Sequence, residues 1–73
     1  MDVIERDELK RLREKFVDGT RVALSKMDGE TIPIGTKGTV RFVDDIGTIH
    51  VNWDTGSTLG VAYGVDKVIV IEN

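Results

Sequence analysis

Residues 35–61 read GTKGTVRFVDDIGTIHVNWDTGSTLGV, and their apolar alternation and turn chemistry specify both the strands and how they pair. Taking Asp45-Ile46, or Asp44 to Gly47, as a symmetric hairpin loop sets Val43 opposite Thr48, Phe42 opposite Ile49 and Arg41 opposite His50. Val40 then faces Val51, and Gly38 faces Trp53. Phe42, Ile49, Val40, Val51 and Trp53 share one face, while Arg41, His50, Thr39 and Asn52 share the other. A slip of one residue would mix the faces, so alternation specifies the register. The Trp53 indole is expected to lie over Gly38, where a missing side chain leaves room.

The turn at Asp54-Thr55-Gly56 suits a three-residue loop, a type I turn closed by a glycine in the left-handed region. It pairs Trp53 with Ser57, Val51 with Leu59 and Ile49 with Val61, again with the apolar residues on one face. A two-residue loop at Thr55-Gly56 would set Val51 against Gly60 and leave Leu59 in water. The stretch therefore predicts a three-stranded antiparallel meander.

Upstream, Thr20 to Lys26 alternates as a half-buried strand, with Val22 and Leu24 against Arg21, Ala23 and Ser25. Residues 27–35, MDGETIPIG, hold the only proline and form the long loop. Either this loop binds something, or Ile32 and Ile34 fold inward to cap the core. Downstream, Ala62 to Asp66 makes one tight turn, and KVIVIEN supplies a last strand whose apolar run from Val68 to Ile71 needs cover on both faces. That cover is expected from a helix over residues 2–16. Asp2 and Glu5 resemble a capping box, with Asp7 a second candidate cap. Acids come early and bases late, as the helix dipole favours. Leu9, Leu12 and Phe16 form a narrow apolar stripe, too short to stand alone, so the helix should pack on the barrel or on a partner.

The 73 residues are read as one domain, helix over 1–16 and barrel over 20–71, able to bury about 60% of its unfolded surface. With no cysteine, neither a disulfide nor a thiolate metal site supplements the core. No apolar run is long enough to span a bilayer and no leader is visible, so a cytoplasmic, reducing setting is expected. Residues 1–15 balance five acids against five bases, so the net charge of -3 resides wholly in the remainder. Such a distribution offers nucleic acid little overall field.

Helix, strand, long loop, meander, short turn and final strand follow the plan of an SH3-like five-stranded antiparallel barrel with an N-terminal α-helix. GTKGTV, VDDIGTIHVNWDTGSTLG and GVD resemble the motifs of an uncharacterised family of small domains carried by phages and conjugative elements of Gram-positive bacteria. The resemblance runs from about Phe16 to Ile71 and implies a fold and a genomic setting. It carries no established activity, so no residue inherits a catalytic role.

No catalytic constellation is visible. His50, the one histidine, is expected to point outward beside Arg41 without a carboxylate in its strand pair, which is an ordinary surface position. Ser25 and Ser57 lack a nucleophile elbow. Asp44-Asp45 read as soluble turn residues, since the alternating oxygen-ligand spacing of a calcium loop is absent. Peptide grooves and methyl-lysine cages need several exposed aromatics, and the register above turns Phe42 and Trp53 inward. Neither a cofactor nor a metal is expected. Arg21, Arg41, His50, Asn52 and Tyr63 remain as candidate binding residues, four on or beside the outward sheet face and Tyr63 as a separate anchor. The sequence thus reads as a non-enzymatic protein-interaction module of a mobile element. The alternative is a nucleic-acid-binding accessory using the sheet face and helix bases. It stands if those bases converge and fails if Asp28, Glu30, Asp44 and Asp54 break up the face. No membrane partner is expected, and the oligomeric state is left open.

Overall fold

The computed structural model describes residues 3–29 and 32–72. One helix, α1 (Arg6–Lys15), precedes four strands: β1 (Arg21–Lys26), β2 (Lys37–Val43), β3 (Ile49–Trp53) and β4 (Lys67–Glu72). They form a single antiparallel sheet in the order β3-β2-β1-β4. The expected fifth strand is absent among the described residues, so the architecture is an open four-stranded sheet with a helix rather than a closed five-stranded barrel. From the 57–61 segment only one bridge survives, Val61 opposite Ile49.

The helix begins later than its charge pattern suggested. Glu5 occupies the N-cap without a side-chain cap bond, and Asp7 and Glu8 lie inside the first turn. Asp2, the proposed capping partner, lies outside the described residues. Arg13 and Lys15 fall in the last turn, where the carbonyl dipole ends favour positive charge. Leu9 and Leu12 pack half-buried against the core and Phe16 is buried within it, so the apolar stripe docks on its own sheet. Asp18-Gly19 then turns the chain. Gly19 at φ 92° donates to the Val40 carbonyl, and the Val40 amide donates back to Thr20.

The first hairpin corrects the expected register. Gly38–Trp53, Thr39–Asn52 and Val40–Val51 pair as alternation required, but Phe42 then faces His50 and Val43 faces Ile49, with Arg41 the extra residue of a β-bulge. The cause is the turn. Asp44 donates its amide to the Thr48 carbonyl, and Gly47 at φ 86° closes a three-residue loop by donating to Asp44. This loop starts the pairing one residue off from the symmetric choice, and the bulge restores the alternation before Val40. Val43 therefore fills the core, while Phe42 leaves it at 47% exposure.

Beyond Trp53 the chain forms the three-residue loop expected at Asp54-Thr55-Gly56. The Trp53 amide meets the Ser57 carbonyl, and Gly56 stands at φ 96°. The pairing of Val51 with Leu59 does not follow. The Trp53 indole donates Nε1–H to the Leu59 carbonyl at 2.8 Å, and Leu59 stays exposed. Trp53 does lie over Gly38, where an added Cβ would stand 2.8 Å from the indole and 2.6 Å from Val51.

The long loop divides its two isoleucines: Ile32 is buried in the core and Ile34 is exposed. The Ala62–Asp66 turn closes as expected, with the Asp66 carboxylate accepting from the Ala62 amide at 2.9 Å. The last strand is covered on one face only. Val68 and Val70 pack inward, but Ile69 and Ile71 remain 54% and 43% exposed, because the helix docks over the core and not over the outer face.

Candidate functional site

The outward face of the sheet carries a row that crosses all four strands, Asn52, Thr39, Arg21 and Glu72, each directly opposite the next. The guanidinium of Arg21 is already engaged. It donates to both Asp54 carboxylate oxygens at 2.8 and 2.7 Å and to Thr39 Oγ1 at 3.0 Å. The Arg21 hydrogen bond draws the Asp54 carboxyl below the ordinary carboxylate range, and Asp54 in turn raises Arg21 above its usual value. Other bases are likewise occupied. Arg13 donates from Nε to the Val43 carbonyl at 3.1 Å and from Nη2 to Asp45 at 2.8 Å, tying α1 to the hairpin tip. Arg11 pairs with Glu8 one helical turn away.

Beside this row the bulge presents a second group. Phe42 stacks on His50 with ring centroids 4.3 Å apart and planes 11° from parallel. The Arg41 guanidinium lies 5.9 Å from the Phe42 centroid, and Arg41 has no ion-pair partner among the described residues. His50 is not the partnerless surface histidine expected above. Its Nε2 lies 2.8 Å from Asp44 Oδ2. Asp44 also accepts the Ile46 and Thr48 amides on Oδ1, at 3.1 and 2.9 Å. Partial burial pushes its carboxyl upward, but the His50 bond and the two amides outweigh this and hold it below the ordinary range. One carboxylate thus braces the turn and orients the imidazole on which Phe42 lies.

Of the candidate residues, Arg41, His50 and Asn52 come together on the β2–β3 surface, with Arg21 adjoining through Thr39. Tyr63 does not join them. It sits half-buried in the Ala62–Asp66 turn, against Gly47, where it lines an apolar groove of about 400 Å³ with Val3, Ile4, Ile46 and Val65. A second cavity of about 250 Å³ lies between α1 and the β4 end, lined by Leu12, Phe16 and Val68. His50 and Asp44 line neither. Among the described residues no group of three or more His, Asp or Glu side chains is placed to hold a metal ion, and no helix is long and apolar enough to cross a membrane.

Phe42 and Asp44 were missed as site residues because the first turn was read with a symmetric loop. Asp45-Ile46-Gly47 has the same Asp-x-Gly pattern that identified the second turn, and applying it would have placed Phe42 opposite His50.

Residues 5–71 match the model of the DUF4314 domain, a domain of unknown function. The chain belongs to the DUF4314 family. No curated protein and no solved structure matches it. In this DUF4314 domain the family match takes in the whole Arg41–Phe42–His50 surface as well as α1 and all of β4 but its last residue, Glu72.

Proposed function

We propose that the chain is a non-enzymatic, SH3-like protein-interaction module, acting in the cytoplasm and belonging to a mobile genetic element. Its partner docks on Arg41, Phe42, His50 and Asn52. The observation that carries this reading is the bulge. Bulges re-aim side chains, and here one turns a phenylalanine out of a small core onto a stacked imidazole beside an unpaired arginine. A flat apolar ring flanked by an unpaired guanidinium has the chemistry of a binding hot spot. An acidic peptide segment with an apolar anchor complements it.

The second reading, a nucleic-acid accessory, gains one observation and loses three. An exposed Phe42 offers a base a stacking platform. Against it, Asp54 occupies Arg21, Asp45 occupies Arg13, and Asp44 holds His50, so three of the positive groups this reading counts on are already held by aspartates. Asp28 is exposed but has no hydrogen bond to that face among the described residues, and Glu30 lies outside them.

Panning a peptide library on the purified chain, followed by titration of selected peptides against Phe42→Ser and Arg41→Glu, tests the first reading. Each substitution is expected to weaken binding at least about tenfold. Fluorescence anisotropy of labelled single- and double-stranded DNA and RNA at low and moderate salt tests the second. Steeply salt-dependent binding lost in Arg41→Glu would replace the first reading with the second.

A further inference from the structure

We propose that the cavity between α1 and the start of β4 binds a small amphiphilic carboxylate, with its aliphatic tail inside and its anionic head between Lys15 and Lys67. The cavity holds about 250 Å³, and its apolar wall is made by Leu12, Phe16, Ile49, Val61 and Val68. Phe16, Ile49 and Val61 belong to the core, whereas Leu12 and Val68 are only half-buried against it. Protein interiors keep few voids larger than a water molecule. An apolar space of this size beside so small a core forfeits contacts that a tail of matching shape would restore. Its volume falls below the roughly 300–1,000 Å³ of sites for drug-sized molecules, which limits the tail to a short chain.

The rim decides the head group. Lys15 and Lys67 both line the cavity, and neither has an ion-pair partner among the described residues. Lys15 Nζ lies 5.3 Å from the centroid of the Phe16 ring, so its ammonium is drawn back over the cavity wall. Lys67 stands directly opposite Lys26 on β1, a like-charge cross-strand pair that costs stability unless an anion answers it. Asp66 is the single acid on the lining, and its carboxylate already accepts the Ala62 amide at 2.9 Å. Two lysines against one aspartate, with Lys26 adjoining, leave this rim positive in a chain whose net charge is -3. Ser25 adds a hydroxyl able to donate to the same head. A carboxylate complements the rim and an aliphatic chain the wall behind it. An ammonium head would meet lysines, and an uncharged chain would leave them unanswered.

The cavity shares no residue with the Arg41, Phe42, His50 and Asn52 surface, so it stands apart from the partner docking proposed above.

Amide chemical-shift titration of the full chain by NMR, with octanoate, octanol and octylammonium as probes, tests the proposal. Octanoate is expected to give saturable shifts centred on Leu12, Ser25, Ala62, Lys67 and Val68, and to bind at least about fivefold more tightly than either control. Lys15→Glu and Lys67→Glu are each expected to weaken octanoate at least about fivefold and to narrow or reverse its advantage over octylammonium. Thermal melts separate this from misfolding, since Lys67→Glu relieves the repulsion with Lys26 and is expected to keep or raise Tm while it weakens binding. Octanoate shifts that do not saturate or that centre elsewhere, equal binding of the three probes, or variants that bind octanoate as well as the parent would each overturn it. Panned peptides that shift these amides where octanoate does not would give the cavity to a protein partner and overturn it too.

Discussion

Asp45-Ile46-Gly47 and Asp54-Thr55-Gly56 are three-residue loops of one kind, each closed by a glycine at positive φ, 86° and 96°. Their surroundings differ. The first is packed: a Cβ on Gly47 would stand 3.0 Å from both Ile4 and Tyr63, whereas one on Gly56 would meet nothing within 4 Å. The strands leaving the first loop pair fully, with one bulge, while the chain leaving the second parts from β3 after one hydrogen bond, where the Trp53 indole takes the Leu59 carbonyl, and rejoins it only at the Ile49–Val61 bridge. Local turn chemistry therefore decides how a hairpin starts. Whether it continues is decided by side chains that the turn does not contain.

The comparison breaks most severely at Trp53. Trp53→Ala removes a buried indole from over Gly38 and frees the Leu59 carbonyl, and is expected to cost about 3–5 kcal/mol in urea unfolding. For a chain of this size that approaches the whole stability, roughly 4–11 kcal/mol. The two loops themselves come next. Gly47→Ala combines a left-handed backbone with crowding and is expected to cost about 2–4 kcal/mol. Gly56→Ala meets only the backbone penalty, about 1–2 kcal/mol. Equal losses at the two glycines would show that packing around Gly47 does not matter.

The bulge yields a smaller contrast between neighbours. Val43→Ala, at a buried site, is expected to cost about 1–3 kcal/mol, and Phe42→Ser, at an exposed one, about 0.5 kcal/mol or less. The reverse order would mean that the hairpin keeps its symmetric register. The smallest effect concerns acid. Asp44 and Asp54, one at each loop, both have carboxyls below the ordinary value near 3.8 when folded. A depressed folded pKa means that the unfolded chain takes up the proton first. The stabilisation is therefore complete above that value and fades as pH falls through the folded pKa. Melting temperatures measured from neutral pH to below about pH 4 should decline less steeply in Asp44→Asn and in Asp54→Asn than in the parent chain.

Much of the fold was legible from local signals. The Val40–Val51 and Gly38–Trp53 pairs, the indole over Gly38, the glycine closing the second loop and the 62–66 turn all follow from alternation and turn residues a few positions apart. The site was legible only in part. Arg41, His50 and Asn52 were placed on the right face, but the Phe42 platform and its Asp44 brace depend on a bulge that reconciles two local rules in conflict.

The sequence by itself determined an N-terminal helix, antiparallel strands and their inward and outward sides, because period-two alternation and Asp-x-Gly turns act within the chain's own short reach. Tertiary structure alone decided that the sheet stays open, that Arg21 and Arg13 are neutralised by distant aspartates, and that β4 keeps a free apolar edge. These outcomes depend on which groups meet across 30 or more residues, as Arg13 meets Asp45 and Arg21 meets Asp54, and no local pattern encodes such meetings.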